Sequence, residues 1–432
     1  MQTLIKNVSE IYTSENESYK LIKDSSVIIE DNIIKDIVKN VDDDSDHNFD
    51  DIIDGRGKML LPGMINTHTH SSMTLLRGYA DDLALQDWLE NKIWPFEATL
   101  TADDIYWGSK LAIMEMVQTG TTTFVDMYFQ MAHVARAVEE SGVRGVLSEG
   151  LIEINDGITG LDSSLEFCKE WNGQASGRIY TMLAPHAPYT CSQSFLEKII
   201  TYAEDYDLGI NIHVSETKKE FQDNIEKYGS TPVEYLNEIG LFSRPVIAAH
   251  CVYLTEEDIE ILREKNVTVS HNPCSNMKLA SGIAKIVEML KKNVNVSIGT
   301  DGVASNNNLN IIEEAKIASY LQKVETLDPR VMNISTLLRI LTKNAAKTLP
   351  YQDIGEIKIG YKADLILVDF EKSTSYYPHH NNLSNFFYAG SGMDIDTVII
   401  DGRIIYNKNE FLSIDKEEVL FNIRRIIKEK SI

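Results

Sequence analysis

Residues 59–70 read MLLPGMINTHTH. An apolar, uncharged run of this length that ends in a His-x-His pair reads as a strand buried on both faces, the kind found in parallel sheets. Alternate residues of a strand share a face, so His68 and His70 point the same way. Seven further stretches repeat the design: TTTFVDMY at 121–128, GVLSEGLI at 145–152, IYTMLAPHAP at 179–188, INIHVSE at 210–216, PVIAAHCVYL at 245–254, VTVSHNP at 267–273 and VNVSIGTDG at 294–302. Helical patterns separate them. One is TADDIYWGSKLAIMEMVQTG at 101–120, with Thr101 as the N-cap and Gly120 just past the end. The strands recur about every 33 residues, close to one βαβ unit each. Eight such units predict an α/β protein with a (β/α)8 TIM-type barrel. The competing open, doubly wound sheet needs a glycine-rich phosphate loop after its first strand, and GMINTHTH is not one.

On either side the pattern changes. SSVIIEDNIIKDIV at 25–38 alternates and breaks at Asp31-Asn32, a turn signal. The acidic VDDDSDHNFDD at 41–51 reads as a solvated loop between strands. IGEIKIGYKADLILVDF at 354–370 and DIDTVIIDGRIIYNKNEF at 394–411 are again β-branched, and DKEEVLFNIRRIIKEK at 415–430 is an amphipathic helix. Neither end is large enough for a core of its own. The expectation is one composite β-domain from residues 1–57 and 351–432, flanking a barrel over 58–350.

Of 432 residues, 43% are hydrophobic and 25% charged, so the chain can bury a large core. Asp+Glu outnumber Lys+Arg 65 to 41, a net charge of −24. Such a surface repels phosphate backbones and anionic lipids, which argues against nucleic-acid and membrane-surface partners. The N-terminus has no apolar core of signal-peptide length, and no apolar run is long enough to span a bilayer. A cytoplasmic protein is expected. Four scattered cysteines do not make a disulfide framework.

The strand ends carry the chemistry. His68 and His70 end the first strand, His186 the fourth, His213 with Glu216 the fifth, His250 the sixth and His271 the seventh; Asp301 follows the eighth. In a barrel these ends converge on one mouth. Nitrogen-rich ligands with one carboxylate suit zinc, with ferrous iron as second choice. Glu216 is either a loop acid or the proton carrier that hydrolysis beside a metal needs. The HExxH motif is absent, and Pro273-Cys274-Ser275-Asn276 lacks the second cysteine of the cytidine-type deaminases.

In combination, LPGMINTHTHSSMTLLRGYADDL (61–83), WPFEA (94–98), HVSET (213–217), AAHCVYL (248–254), HNPCSNMKLASG (271–282) and GTDGVASNNNLN (299–310) resemble the amidohydrolase superfamily. Within it they are most similar to the 5-methylthioadenosine/S-adenosylhomocysteine deaminases, with atrazine-chlorohydrolase-like enzymes and guanine deaminases nearby. GEIKIGYKADLILVDF (355–370) and HHNNLSNFFYAGSGMDIDTVIIDG (379–402) match as well. The resemblance implies a distorted barrel, a β-sandwich built from both chain ends, and one zinc per subunit held by His68, His70, His213 and Asp301. The dinuclear branch carries a lysine at the end of strand 4, where this chain reads TMLAPHAP. By the same resemblance His250 and Asp301 orient the attacking water and Glu216 shuttles protons. Glu97 binds ribose hydroxyls, while His186, Trp88, Glu216 and Asp301 also contact substrate.

The implied reaction is hydrolytic deamination of adenosine or its 5′-substituted forms, a small-molecule nucleoside substrate, in a chain for which a homo-oligomer is compatible. An amidohydrolase acting on guanine, a triazine or a cyclic amide is the alternative, and a catalytically silent scaffold stands behind both. The weaker members keep plain readings: Trp88 as core, Glu97 as a helix N-terminal acid, His271 as a hydrogen-bonding loop anchor, Asn306–Asn308 as a turn, His379 and His380 as structural. Glu149 departs from the family pattern, where Arg is frequent and is associated with the substrate tail. The expectation is a preference for small, uncharged 5′ groups, unless Arg77, Arg136 or Arg144 substitutes.

Overall fold

The computed structural model describes residues 1–40, 49–83, 85–351 and 353–430. Residues 41–48 of the acidic stretch lie outside them, so its reading as a loop is not addressed.

Eight parallel strands stand side by side in chain order: Met64–Thr69, Thr121–Tyr128, Arg144–Leu151, Ile179–Pro185, Gly209–Val214, Val246–His250, Thr268–His271 and Asn295–Ile298. The first and last meet at one end. Thr69 and Asp301 form a parallel bridge, and the Asp301 N–H donates to the His68 carbonyl at 3.0 Å. Asn66 ties the same seam, giving its Nδ2–H to Thr300 Oγ1 at 2.7 Å and accepting the Thr300 N–H at 3.0 Å. The barrel is therefore nearly closed, and the stitched end is the one that carries the histidines. The other end is plugged: Ile65, Val125, Val146, Met182 and Ile247 pack with Ala345, Ala346, Leu349, Tyr351 and Ile354.

Local signals were obeyed where the chain could obey them. The helix Ala102–Gln118 starts on a capping box, with Thr101 Oγ1 accepting the Asp104 N–H and Asp104 accepting that of Thr101. It ends before Gly120, which takes φ +87°. Asp31 takes φ 56° between the strands Ser18–Glu30 and Ile33–Lys39.

Among the described residues both chain ends build a second, mixed sheet of nine strands. Lys58–Pro62 is its junction, parallel to Gln2–Glu15 and antiparallel to Leu365–Asp369. The strand Ile33–Lys39 bonds back to residues 360–363, so the sheet curls round a small core of Ile5, Val27, Ile34, Leu60, Leu367 and Ile399. Because Lys58–Pro62 pairs inside this sheet, we place the passage to the barrel at Gly63 rather than between residues 57 and 58. A Cβ on Gly63 would meet Thr122 Oγ1 at 2.2 Å, so only glycine lets the chain cross here. The final helix, Lys416–Glu429, is capped by Asp415 and ties to the barrel through Arg425–Asp103 at 2.6 Å. The four cysteines are free thiols. Among the described residues no helix is long and apolar enough to cross a membrane.

Candidate active site

His68, His70, His213, His250 and Asp301 meet at the stitched end of the barrel. Their donor atoms form two overlapping groups, His68–His70–His213 and His68–His250–Asp301, each within 4.8 Å. Backbone carbonyls orient two of the rings. His70 Nδ1 faces the Met127 carbonyl at 2.6 Å, and His213 Nδ1 faces that of His186 at 2.7 Å. Both Nδ1 atoms must therefore carry the hydrogen, which leaves Nε2 as a lone pair on each ring. Those two Nε2 atoms lie 3.4 Å apart, and Asp301 Oδ1 is 3.1 Å from that of His70. His68 Nε2 is 3.5 Å from the same oxygen, and neither of its ring nitrogens makes a hydrogen bond among the described residues. Lone pairs packed this closely repel unless a cation lies among them. The donor set fits a divalent metal.

A cavity of about 790 Å³ opens above this cluster, with His70, His213, His250 and Asp301 at one end. His68 lies beneath its floor, fully buried. Glu216 lines the cavity with its Oε2 3.9 Å from His250 Nε2, and burial pushes its carboxyl up. His250 Nδ1 donates to Asn276 Oδ1 at 2.8 Å, so its Nε2 is an acceptor facing the cavity. Asp301 Oδ2 accepts from Ser275 and Ser305 hydroxyls at 2.6 and 2.9 Å, leaving Oδ1 for the histidines. Glu97 stands in the wall on the short helix Trp94–Glu97. Its Oε1 accepts the Tyr128 hydroxyl at 2.6 Å, and burial pushes its carboxyl up to about 7. His186 also lines the cavity, and burial holds it down to about 3, a neutral ring at physiological pH. Apart from Ser305, the rest of the wall is apolar or aromatic, including Met73, Trp88, Leu89, Trp94 and Phe129.

The amidohydrolase family profile matches residues 59–405. The chain belongs to the amidohydrolase family. It is 55% identical, over all 432 residues of both chains, to the 5-methylthioadenosine/S-adenosylhomocysteine deaminase of Halothermothrix orenii. To the enzyme of the same name from Dictyoglomus thermophilum it is 49% identical, over 94% of this chain and 97% of that one. A crystal structure of an adenosine deaminase from Xanthomonas campestris with bound zinc superposes with a TM-score of 0.92 at 31% identity, covering 99% of this chain and 98% of that one.

Other residues of this amidohydrolase follow the reading of the sequence only in part. Trp88 both packs and lines: it is 5% exposed, donates its Nε1–H to the Ala80 carbonyl at 3.1 Å, and borders the cavity. His271 is buried, and neither ring nitrogen finds a hydrogen-bond partner among the described residues. Asn306 ends a short helix rather than forming a turn, and donates to the Thr300 carbonyl and to Glu314. Glu149 lines a separate depression with Asp162, Glu166 and Glu170, whereas its neighbours Gly150 and Ile152 line the cavity. Glu149 therefore makes no direct contact with the cavity through which it could set the expected preference for small, uncharged 5′ groups. Arg144 is tied to Asp364 and Asp401, Arg77 to Glu115, and Arg136 lies near Glu140. No Lys or Arg lines the cavity among the described residues.

Tyr128, Ser275, Ser305, Asn276 and Glu220 were not read as site residues. The carboxylate of Glu220 accepts the N–H groups of Ser215 and Glu216. A trace of it was legible, since Thr217-x-x-Glu220 has the form of a capping box. Tyr128 had none, because nothing near residue 128 in sequence points to Glu97.

Proposed function

We propose that this amidohydrolase is a zinc-dependent hydrolytic deaminase of adenosine and 5′-substituted adenosines, forming the inosine analogue and ammonia. One observation carries the reading: a single cavity has the His/Asp donor cluster, Glu216 and His250 at one end and the Glu97–Tyr128 pair in its wall. The first end suits water attack on a ring carbon, and the second suits a ribose diol. The names of the relatives at 55% and 49% identity agree with it.

His68, His70, His213 and Asp301 would hold one zinc per chain. When bound, the ion acidifies water and so supplies a nucleophile at neutral pH. The remaining work falls to side chains. Adenine C6 is a poor electrophile until N1 is protonated. Glu216 takes the proton of the attacking water and delivers it to N1, which its raised pKa favours. His250 accepts from the same water through Nε2, since Asn276 fixes its other nitrogen as the donor. Asp301 turns that water toward C6. Glu216 then takes the remaining proton from the oxygen added at C6 and passes it to the leaving amine, which departs as ammonia. Glu97 accepts from ribose hydroxyls, neutral His186 offers Nε2 to the nucleoside, and Trp88 bounds the base.

The test is ammonia release from adenosine, 5′-deoxyadenosine, 5′-methylthioadenosine and S-adenosylhomocysteine, run beside guanine, a pterin and a triazine, with metal content measured on the same sample. Turnover of the adenosines with about one zinc per chain is expected. Turnover confined to the other rings would overturn the reading.

A further inference from the structure

Strand periodicity alone would turn Glu216 away from the site. Residues 213, 215 and 217 of an extended chain share a side, and 216 faces the other. Yet Glu216 lines the cavity beside His213. The reason is Ser215, which takes φ 51° and turns the chain back on itself. The left-handed region is unfavourable for a residue with a Cβ, so this turn has to be held.

Glu220 holds it. One carboxylate oxygen accepts the Ser215 N–H at 2.9 Å and the other accepts the Glu216 N–H at 2.7 Å. Consecutive N–H groups aimed at one point form an anion-binding nest, and here the two oxygens of Glu220, whose carboxyl burial pushes up to about 7, fill it. Glu220 is fixed in turn, on the first turn of the helix Lys218–Tyr228, where Thr217 Oγ1 accepts its N–H at 3.1 Å. From the far side the Val252 and Tyr253 N–H groups donate to the Ser215 carbonyl at 3.0 and 3.1 Å. Ser215, Glu216 and Glu220 are all buried. Glu220 itself is not among the residues that line the cavity.

We infer that Glu220 is a positioning residue for the deamination: by holding the Ser215–Glu216 turn, its carboxylate aims the Glu216 carboxylate at the reacting atoms. This rests on the reading of Glu216 as the proton carrier. It separates the two acids of the loop by task, one moving protons and the other holding backbone.

The experiment is a double-mutant cycle. Glu220→Gln keeps the shape of the side chain but sets an amide NH2 against one of the two N–H groups. A reacting group displaced by about 1 Å loses about 10²-fold. Glu220→Gln is therefore expected to lower kcat by about 10²-fold, with KM within about threefold and metal content unchanged. In a Glu216→Gln background the same change is expected to lower kcat by less than about twofold, because the group it positions is already gone. Glu220→Asp keeps the charge, falls one methylene short, and should show the same pattern at smaller size. Unchanged kcat in both single variants, or equal losses in the two backgrounds, overturns the proposal. If Glu216→Gln alone retains wild-type turnover, the reading of Glu216 falls first and this one with it.

Discussion

Glu97 is held by Tyr128 with its carboxyl pushed up to about 7, and that value has opposite consequences for function and stability. To accept from two ribose hydroxyls the carboxyl must be ionised. For the wild type kcat/KM should therefore fall as pH drops below about 7, and in Glu97→Gln that limb should flatten at a lower plateau. Stability runs the other way. A carboxyl whose folded pKa is raised contributes stability fully below its unfolded pKa of about 4.3 and loses it as pH rises through about 7. The thermal midpoint of Glu97→Gln should thus gain on the wild type more at pH 8 than at pH 5. Glu216 is the second test at this scale. Glu216→Gln should keep fold and metal while losing about 10²–10⁴-fold in turnover, since an amide carries no proton. A loss under tenfold would remove Glu216 from the proton path.

Gly63 joins two elements, the sheet strand Lys58–Pro62 and the barrel strand Met64–Thr69, with no residue to spare. Its N–H donates to the Asp364 carbonyl at 2.8 Å, and Thr122 occupies the space of a side chain. Gly63→Val should overpack the junction by about 1–3 kcal/mol and lower the thermal midpoint, read by circular dichroism. An unshifted midpoint would mean that the junction can slide. The strands and their polar ends were legible because burial on both faces leaves an unbroken apolar run. The junction was not: MLLPGM is equally apolar on both sides of Gly63, and only partner choice assigns residues 58–62 to the mixed sheet.

Across the whole molecule, Arg144 fastens the barrel to the sheet. It is 1% exposed, starts the third barrel strand, and pairs with Asp364 at 2.6 Å and Asp401 at 2.7 Å. Arg144→Leu would leave the buried Asp364 and the half-buried Asp401 without their partner, a loss of about 3–5 kcal/mol. Thermal unfolding should record it, with kcat of the folded fraction unchanged because Arg144 does not line the cavity. The cavity as a whole also sets specificity. Its charged wall residues are Glu97, Glu216 and Asp301, with no Lys or Arg among the described lining. The carboxylate of an S-adenosylhomocysteine tail therefore meets no cation inside it. A missing charge-assisted bond is worth about 1.5–3 kcal/mol, so kcat/KM should favour 5′-methylthioadenosine by about 10- to 150-fold. Equal values for the two substrates would overturn the argument from the missing cation.

By itself the sequence determined the barrel and the place of its chemistry. Eight apolar runs, six of them closed by His or Asp, admit few topologies, because strand periodicity and βαβ connection are local rules. His68, His70, His213, His250 and Asp301 were therefore expected together, and they lie together. Tertiary structure decided what happens beyond the strand ends, where periodicity stops. Ser215 turns left-handed under the hold of Glu220, and so Glu216 faces His250. Glu97 meets Tyr128, and Glu149 falls outside the cavity although its neighbours line it. In a loop the direction of a side chain is set by hydrogen bonds from other segments, and their partners leave no regular spacing in the sequence.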